Sequence, residues 1–277
     1  MDGGSEMGER EAPPGIDTSR MHPARRYDYY LGGKDNFSAD RANAEMLAKV
    51  YPAARTTAVE NRRFLRRAVH MLAAEAGIRQ FLDIGTGLPT RPNVHEVAQR
   101  VAPESRVVYV DNDPIVLVHA RALLTGSAAG ATAYVDADLR RPRDLLADPD
   151  LRGTLDFSRP IALLLVAVMH FITDDMDPYG IVDELVAAMP PGSFLVLSNG
   201  TLDLLPPDVA AALRAAFESS GEPAAPRTRD EFARFFRGHR LIEPGIVPVV
   251  EWRPDDDPAT RPSPAEAAVY AGVARIA

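Results

Sequence analysis

"FLDIGTGLPT" spans residues 81–90, and the fold turns on how it is read. A short apolar run enters a turn in which Gly85 and Gly87 stand one residue apart. Residues 80–85 have the length and the apolar continuity of a strand buried on both faces, the kind that parallel sheets use. Glycines at such a strand tip let the backbone approach a ligand, because no Cβ stands in the way. In an open parallel sheet, ligands bind just beyond the carboxyl ends of the strands. The turn is therefore either a nucleotide cradle or a plain passage from strand to helix, and the residues that follow must decide.

The chain downstream alternates. "RPNVHEVAQRVA" (91–102) predicts a helix, with Pro92 in its first turn and Val94, Val97, Ala98 and Val101 facing inward. "RVVYVD" (106–111) predicts a second strand, residues 114–125 a second helix and "ATAYVDAD" (131–138) a third strand. "PIALLLVAVM" (160–169) is the most apolar strand and hence central. "YGIVDELVAAM" predicts a helix and "GSFLVLSNG" (192–200) a fifth strand, followed by helices near 206–219 and 228–236. "GIVPVVEWRP" and "AVYAGVARIA" read as two final extended segments forming an antiparallel edge. Such alternation predicts an α/β, Rossmann-like, mostly parallel sheet flanked by helices.

Upstream, residues 1–20 read as a disordered tail and 21–78 as an N-terminal helical extension. Its longest helix is expected over 55–76, with Val59, Phe64, Leu65, Val69, Leu72 and Ala73 on one face and Gly77 closing it. Residues 79–277 form the main domain. "YDYYLGGKDNF" (27–37) carries rings, a carboxylate, an amide and an ammonium around a glycine pair. It reads as a lid over a ligand, with Tyr27, Tyr30, Lys34, Asp35, Asn36 and Phe37 as candidate contacts.

Composition narrows the function classes. With 277 residues, 46% apolar and 25% charged, the chain suits one large soluble domain. It has no apolar run long enough for a membrane span. Its start lacks a basic segment and an apolar core, so a cytoplasmic location is the default expectation. The absence of cysteine excludes disulfides, thiolate metal sites and cysteine nucleophiles. A net charge of −8 argues against nonspecific nucleic-acid binding. The basic runs "RRFLRR" (62–67) and "RPRD" (141–144) read as solvated faces. Nothing in the sequence sets an oligomeric state.

Acidic residues at later strand tips give the glycine turn its meaning. Asp111 ends the second strand, where an acceptor-only carboxylate suits the two hydroxyls of a ribose. Asp113 suits the cap of the helix that begins near Pro114. Asp138 ends the third strand and is placed to accept from an adenine amino group, with the Leu139 backbone N–H donating to a ring nitrogen. Thr86 and Asn112 lie in the same turns. One adenosine can span all three tips. A dinucleotide fingerprint wants a third glycine at position 90, which is Thr here, beside Pro89. At the tip of the fourth strand, His170 is a candidate base or a pocket-shaping histidine, and Tyr30 of the lid is the second candidate catalytic group. Asn199, ending the fifth strand, is a candidate for the acceptor side. Asp174, Asp175 and Asp177 read as caps and solvated loop residues, and no metal is expected.

This conjunction resembles the class I S-adenosylmethionine-dependent methyltransferases. "RRYDYYLGGKDNFSADR", "FLDIGTGLPT", "NVHEVAQ", "VVYVDNDPIVLVHARALL", "DADLRRP" and "GIVPVVEWRP" together resemble an actinobacterial family called S-adenosyl methyltransferase, formerly a domain of unknown function, over roughly residues 20–277. The resemblance implies a seven-stranded sheet and bound S-adenosyl-L-methionine. It places Asp83, Gly85 and Gly87 near the methionine portion, Asp111 at the ribose and Asp138 at the adenine, and it implies no acceptor. A small-molecule acceptor is the leading expectation. An NAD-dependent oxidoreductase and a non-catalytic regulator that binds S-adenosylmethionine are the alternatives.

Overall fold

Every residue of β1 (Gln80–Ile84) is buried, so the strand must be covered on both faces and paired on both edges. The computed structural model, which describes residues 17–116, 118 and 127–277, provides both. β1 runs parallel to β2 (Arg106–Asp111), which runs parallel to β3 (Ala131–Asp136). On its other edge β1 pairs in parallel with β4 (Ala162–Val166), and β4 with β5 (Phe194–Gly200). Of the tail expected over 1–20, only residues 17–20 are described. Of the helix expected over 114–125, residues 114–116 and 118 are described and helical; the rest lies outside the described residues.

The C-terminal part differs from the expected edge pair. β6 (Arg240–Leu241) and β7 (Val247–Pro248) are two-residue strands, and both pair with β8 (Val269–Arg275). β8 runs antiparallel to β5 along its whole length. The sheet therefore has eight strands rather than seven, in the order β3-β2-β1-β4-β5-β8-β6, with β7 also on β8. "AVYAGVARIA" is an interior strand, not an edge. "GIVPVVEWRP" gives only β7, because Pro248 has no N–H to continue a ladder and the chain turns into a 3-10 helix at Val249–Glu251. That turn buries Val249, Val250 and Trp252.

Three helices precede the sheet: α1 (Pro23–Tyr30), α2 (Ser38–Val50) and α3 (Ala54–Ala74). α3 lays Phe64, Leu65, Val69 and Leu72 against one face of the sheet, as the periodicity predicts. Phe64 meets Trp252 edge-on, with centroids 5.2 Å apart. Gly77 takes φ +69°, and the Ile78 N–H returns to the Leu72 carbonyl at 2.9 Å to close the helix. "RRFLRR" is only half a solvated face: Arg63 and Arg66 are exposed, whereas Arg67 is half-buried and donates to the carbonyls of Val249 and Trp252. α4 (Val94–Val101) starts later than expected, because Pro92 precedes its cap Asn93.

β3 and β4 stop short of their predicted ends. Residues 137–139 and 167–171 leave the ladder at the carboxyl end of the sheet and bend over it. They thereby become walls rather than strand.

Phe64→Ala should destabilise the protein by about 3–5 kcal/mol, since both partners of its ring contact are fully buried. Arg66→Ala, on the exposed face of the same helix, should change stability by no more than about 0.5 kcal/mol. Urea unfolding of the two variants compares them directly.

Candidate active site

The strand tips enclose a cavity of about 270 Å³. Asp83, Gly85, Thr86, Gly87, Asp111, Asn112, Asp138 and Leu139 all line it, so the sequence-predicted residues of three successive tips do come together. The turn is held from below: the N–H groups of Gly85 and Thr86 donate to the Val110 carbonyl at 2.8 and 3.2 Å. Gly85 takes φ +71°, and a Cβ there would lie 2.5 Å from the Val168 side chain. Gly87 takes φ +64° and faces more open space, its nearest neighbour being the Ala24 Cβ at 3.9 Å.

Asp111 is buried and anchored through both oxygens. It accepts the Gly87 N–H at 2.8 Å and the Asp113 N–H at 2.9 Å. Each carboxylate oxygen has a further lone pair for a ligand hydroxyl. Burial raises its pKa, against the pull of these two N–H groups. Asp113 caps as expected, accepting the Ile115 N–H at 3.1 Å, and also meets His22 Nδ1 at 3.0 Å. Asp138 lines the cavity with its carboxylate held by Arg140 at 2.6 Å. Asp83 is buried, with the Thr86 hydroxyl donating to it at 3.1 Å.

α1 forms the cavity's roof. Its inward face carries Pro23, Tyr27 and, further along, Arg26 and Tyr30. The Asp28 carboxylate and the Asn36 amide serve the "GGKDN" turn itself. Asp28 accepts the Asp35 N–H at 3.0 Å and Asn36 Nδ2 at 2.9 Å, and a Cβ on Gly33 would collide with the Asp28 carboxylate. Lys34 is exposed, and neither it, Asp35 nor Asn36 lines this cavity. Phe37 packs with Leu88, Ile115 and Val116.

A second cavity, of about 200 Å³, adjoins the first. Both have Pro23, Tyr27, Asn61, Ala167, Phe171 and Pro223 in their walls. His170 and Tyr30, the two predicted catalytic groups, line the second cavity together. Burial pushes His170 down to about 3, with Arg26 and Arg227 adding to the effect, so the imidazole is neutral at physiological pH. Its Nδ1 has neither solvent contact nor a hydrogen-bond partner. Burial pushes Tyr30 up to about 12, and its hydroxyl donates to the Ala44 carbonyl at 3.1 Å. Asn199 faces neither cavity; its side chain bonds the Gly200 and Ala225 carbonyls and Arg227. Asp177 caps the helix Pro178–Ala187 through the Gly180 N–H at 3.1 Å.

The wall between the cavities rests on residues the sequence did not single out. The Ala167 N–H donates to Ser198 Oγ at 3.0 Å, and Ser198 donates to Asn61 Oδ1 at 2.6 Å. Asn61 Nδ2 donates to the Tyr27 hydroxyl at 3.1 Å, which donates to the Ala58 carbonyl at 3.0 Å. Ala167 sits at φ +59°, a conformation that nothing in its identity signals. Asn61 interrupts an apolar helix face, and that break in pattern is the one local clue to this chain.

The sequence model of the S-adenosyl methyltransferase family matches residues 9–277. The chain belongs to that family. It is an S-adenosylmethionine-dependent methyltransferase. A DUF574 family protein from Streptomyces avermitilis MA-4680 is 47% identical, with 94% of this chain and 99% of that chain covered and a TM-score of 0.91. A candidate methyltransferase from Thermobifida fusca YX is 45% identical, with 95% of this chain and 98% of that chain covered and a TM-score of 0.87. No curated protein matches the chain.

The chemistry of the strand-tip cavity suits a cationic ligand. Asp83 and Asp111 are buried carboxylates facing one space, and among the described residues Asp83 accepts one side-chain hydrogen bond, from the Thr86 hydroxyl. A cationic ligand would relieve both. A pyrophosphate would not, and the N-terminus of α4 is already engaged. Its Asn93 N–H bonds Glu96 at 2.6 Å and its His95 N–H bonds the Tyr109 hydroxyl at 2.8 Å.

Burial pushes Asp83 up to about 6, against the pull of Arg62 and Thr86. A carboxyl that holds its proton more tightly folded than unfolded removes stability as pH rises from about 4 to its folded value. In cofactor-free protein, Asp83→Asn should exceed the wild type in stability by about 3 kcal/mol at pH 7.5. The difference should disappear near pH 4. Urea titrations at the two pH values measure it.

Proposed function

We propose that the strand-tip cavity holds S-adenosyl-L-methionine and that the adjoining cavity receives a small-molecule methyl acceptor. Asp111 takes the ribose hydroxyls, with Asn112 beside it. Asp138 and the Leu139 N–H take the adenine edge. Asp83, Gly85, Thr86 and Gly87 surround the methionine portion, and Tyr27 covers the junction. The observation that carries this reading is the shared wall: a polar, acidic cavity and an apolar one meet across Tyr27, Asn61, Ala167 and Phe171.

When bound, the cofactor supplies a methyl group activated by the positive sulfur that carries it. The residues of this chain then have three tasks. The strand tips fix the donor's orientation, so that transfer becomes a problem of alignment. The roof formed by α1 excludes water from the junction. His170 meets the acceptor as a neutral imidazole able to accept a proton. Tyr30, with its hydroxyl committed to Ala44, contributes shape rather than proton transfer. The acidic net charge supports a small molecule over nucleic acid. A cytoplasmic setting is part of the same proposal; among the described residues no helix is long and apolar enough to cross a membrane.

Calorimetric titration tests the reading. S-adenosylmethionine should bind and NAD should not. Asp111→Ala should weaken S-adenosylmethionine binding on the order of 10- to 100-fold, because hydrogen bonds to a charged group contribute about 1.5–3 kcal/mol. Equal affinity in the variant, or preferential binding of NAD, overturns the assignment.

A further inference from the structure

The apolar cavity has a distinctive polar inventory. Among the described residues of its wall, the one acid is Glu222 and the one arginine is Arg26. They hold each other at 2.6 Å, and Asn43 bonds both, at 2.7 Å each. The Tyr27 and Tyr30 hydroxyls are committed to backbone carbonyls of helices α3 and α2. The Tyr51 hydroxyl is committed to the Ala265 carbonyl at 2.7 Å. Much of the remaining surface is apolar, including Leu47, Leu202, Leu205, Leu213 and Phe217. A charged ligand would lose its hydration here and find no free counter-charge.

His170 is the exception. Among the described residues its side chain has no hydrogen-bond partner, and Nδ1 has no accessible surface, so Nε2 is the nitrogen a ligand can meet. Arg26 and Arg227 act on this imidazole through their positive charge. The same field repels an ammonium, and an oxygen made positive by bond formation sheds its proton the more readily in it. Size sets a further bound. An apolar cavity of about 150 Å³ holds a benzene, so one of about 200 Å³ suits a one- or two-ring molecule.

We infer that the acceptor is an uncharged, apolar one- or two-ring molecule bearing a hydroxyl, which His170 orients and which is methylated on oxygen. This inference rests on the proposed function and specifies its substrate class. In the transfer, a lone pair of the hydroxyl oxygen forms the new bond to the methyl carbon. The sulfur–methyl bonding pair returns to sulfur, leaving a neutral thioether, and the hydroxyl proton passes to His170 Nε2 and on to water. Burial makes His170 a weak base, so it takes the proton as the carbon–oxygen bond forms, when the oxygen becomes positive and its proton strongly acidic.

The probes are 2-naphthol, 2-naphthoate and 2-naphthylmethylammonium, titrated by calorimetry into the full chain without cofactor. 2-Naphthol should bind at least 10-fold more tightly than either ion. Phe217→Glu and, independently, Leu213→Arg should weaken 2-naphthol at least 10-fold while S-adenosylmethionine affinity stays within 2-fold. With labelled cofactor, His170→Gln should lower methyl transfer to 2-naphthol at least 10-fold with naphthol affinity retained. Equal or tighter binding of either ion, naphthol binding unchanged in both cavity variants, or undiminished transfer by His170→Gln overturns the inference. If S-adenosylmethionine fails to bind the wild type, the proposed function itself fails. If it binds and the naphthol preference is absent, only the acceptor class is wrong.

Discussion

The hydrogen-bond chain from Ala167 through Ser198, Asn61 and Tyr27 to Ala58 is the constraint on which the site depends. It runs from the carboxyl end of β4, across β5, into the middle of α3, out to α1 and back to α3. Each donor in it has one acceptor, so its direction is fixed. A buried chain of this kind is worth having only when complete, because one missing member leaves its neighbours desolvated and unpaired. It also holds Ala167 in the left-handed region, at a local cost of about 1–2 kcal/mol. That kink carries residues 167–171 away from the sheet, and the resulting wall divides one cavity from the other.

The two cavities differ in electrostatic character although they share that wall. On one side Asp83 and Asp111 are buried with few positive partners, and burial raises the pKa of both. That side gains from a cation. On the other side Arg26 and Glu222 are paired with each other, and burial, with Arg26 and Arg227 adding to it, keeps His170 neutral. That side gains from a neutral body with one polar group. In the proposed arrangement a donor carrying positive charge and an acceptor carrying none are sorted to opposite sides of one partition. Neither needs a long-range conformational signal to find its place.

The N-terminal extension ties into the same arrangement. Asp40 accepts the His22 and Phe37 N–H groups at 2.8 and 2.9 Å, and Asp113 draws in His22. The tip of β2 therefore orders both the glycine turn, through Asp111, and the roof, through Asp113. The many polar groups of "YDYYLGGKDNF" look like ligand contacts when counted along the chain. Asp28 and Asn36 fold the turn instead, since a tight glycine turn must satisfy its own backbone, while the Tyr27 and Tyr30 hydroxyls bond carbonyls of neighbouring helices. The residues that do line the cavities, Tyr27 and Tyr30, are three apart on one face of α1.

Local pattern determined a good deal. The apolar runs marked β1, β2, β4 and β5, because a strand buried on both faces must be apolar, and the half-exposed edge strand β3 followed from the strand–helix alternation. The tips of β1, β2 and β3 were legible because strand ends in a parallel sheet are all presented on one edge. Gly85, Gly87, Asp111 and Asp138 could therefore be assigned to one cavity from their positions alone. Other features had no local signature. The interior place of β8, the kink at Ala167, the inward turn of Arg67 and the partnership of Asn61 with Ser198 each depend on a residue far away in the chain. Ser198 and Asn61 are 137 positions apart. A sequence records which side chains have polar atoms, and burial on a strand or helix face follows from its period. Which polar atoms meet across the core is settled only when the sheet and helices pack, and here that meeting made the wall between the two cavities.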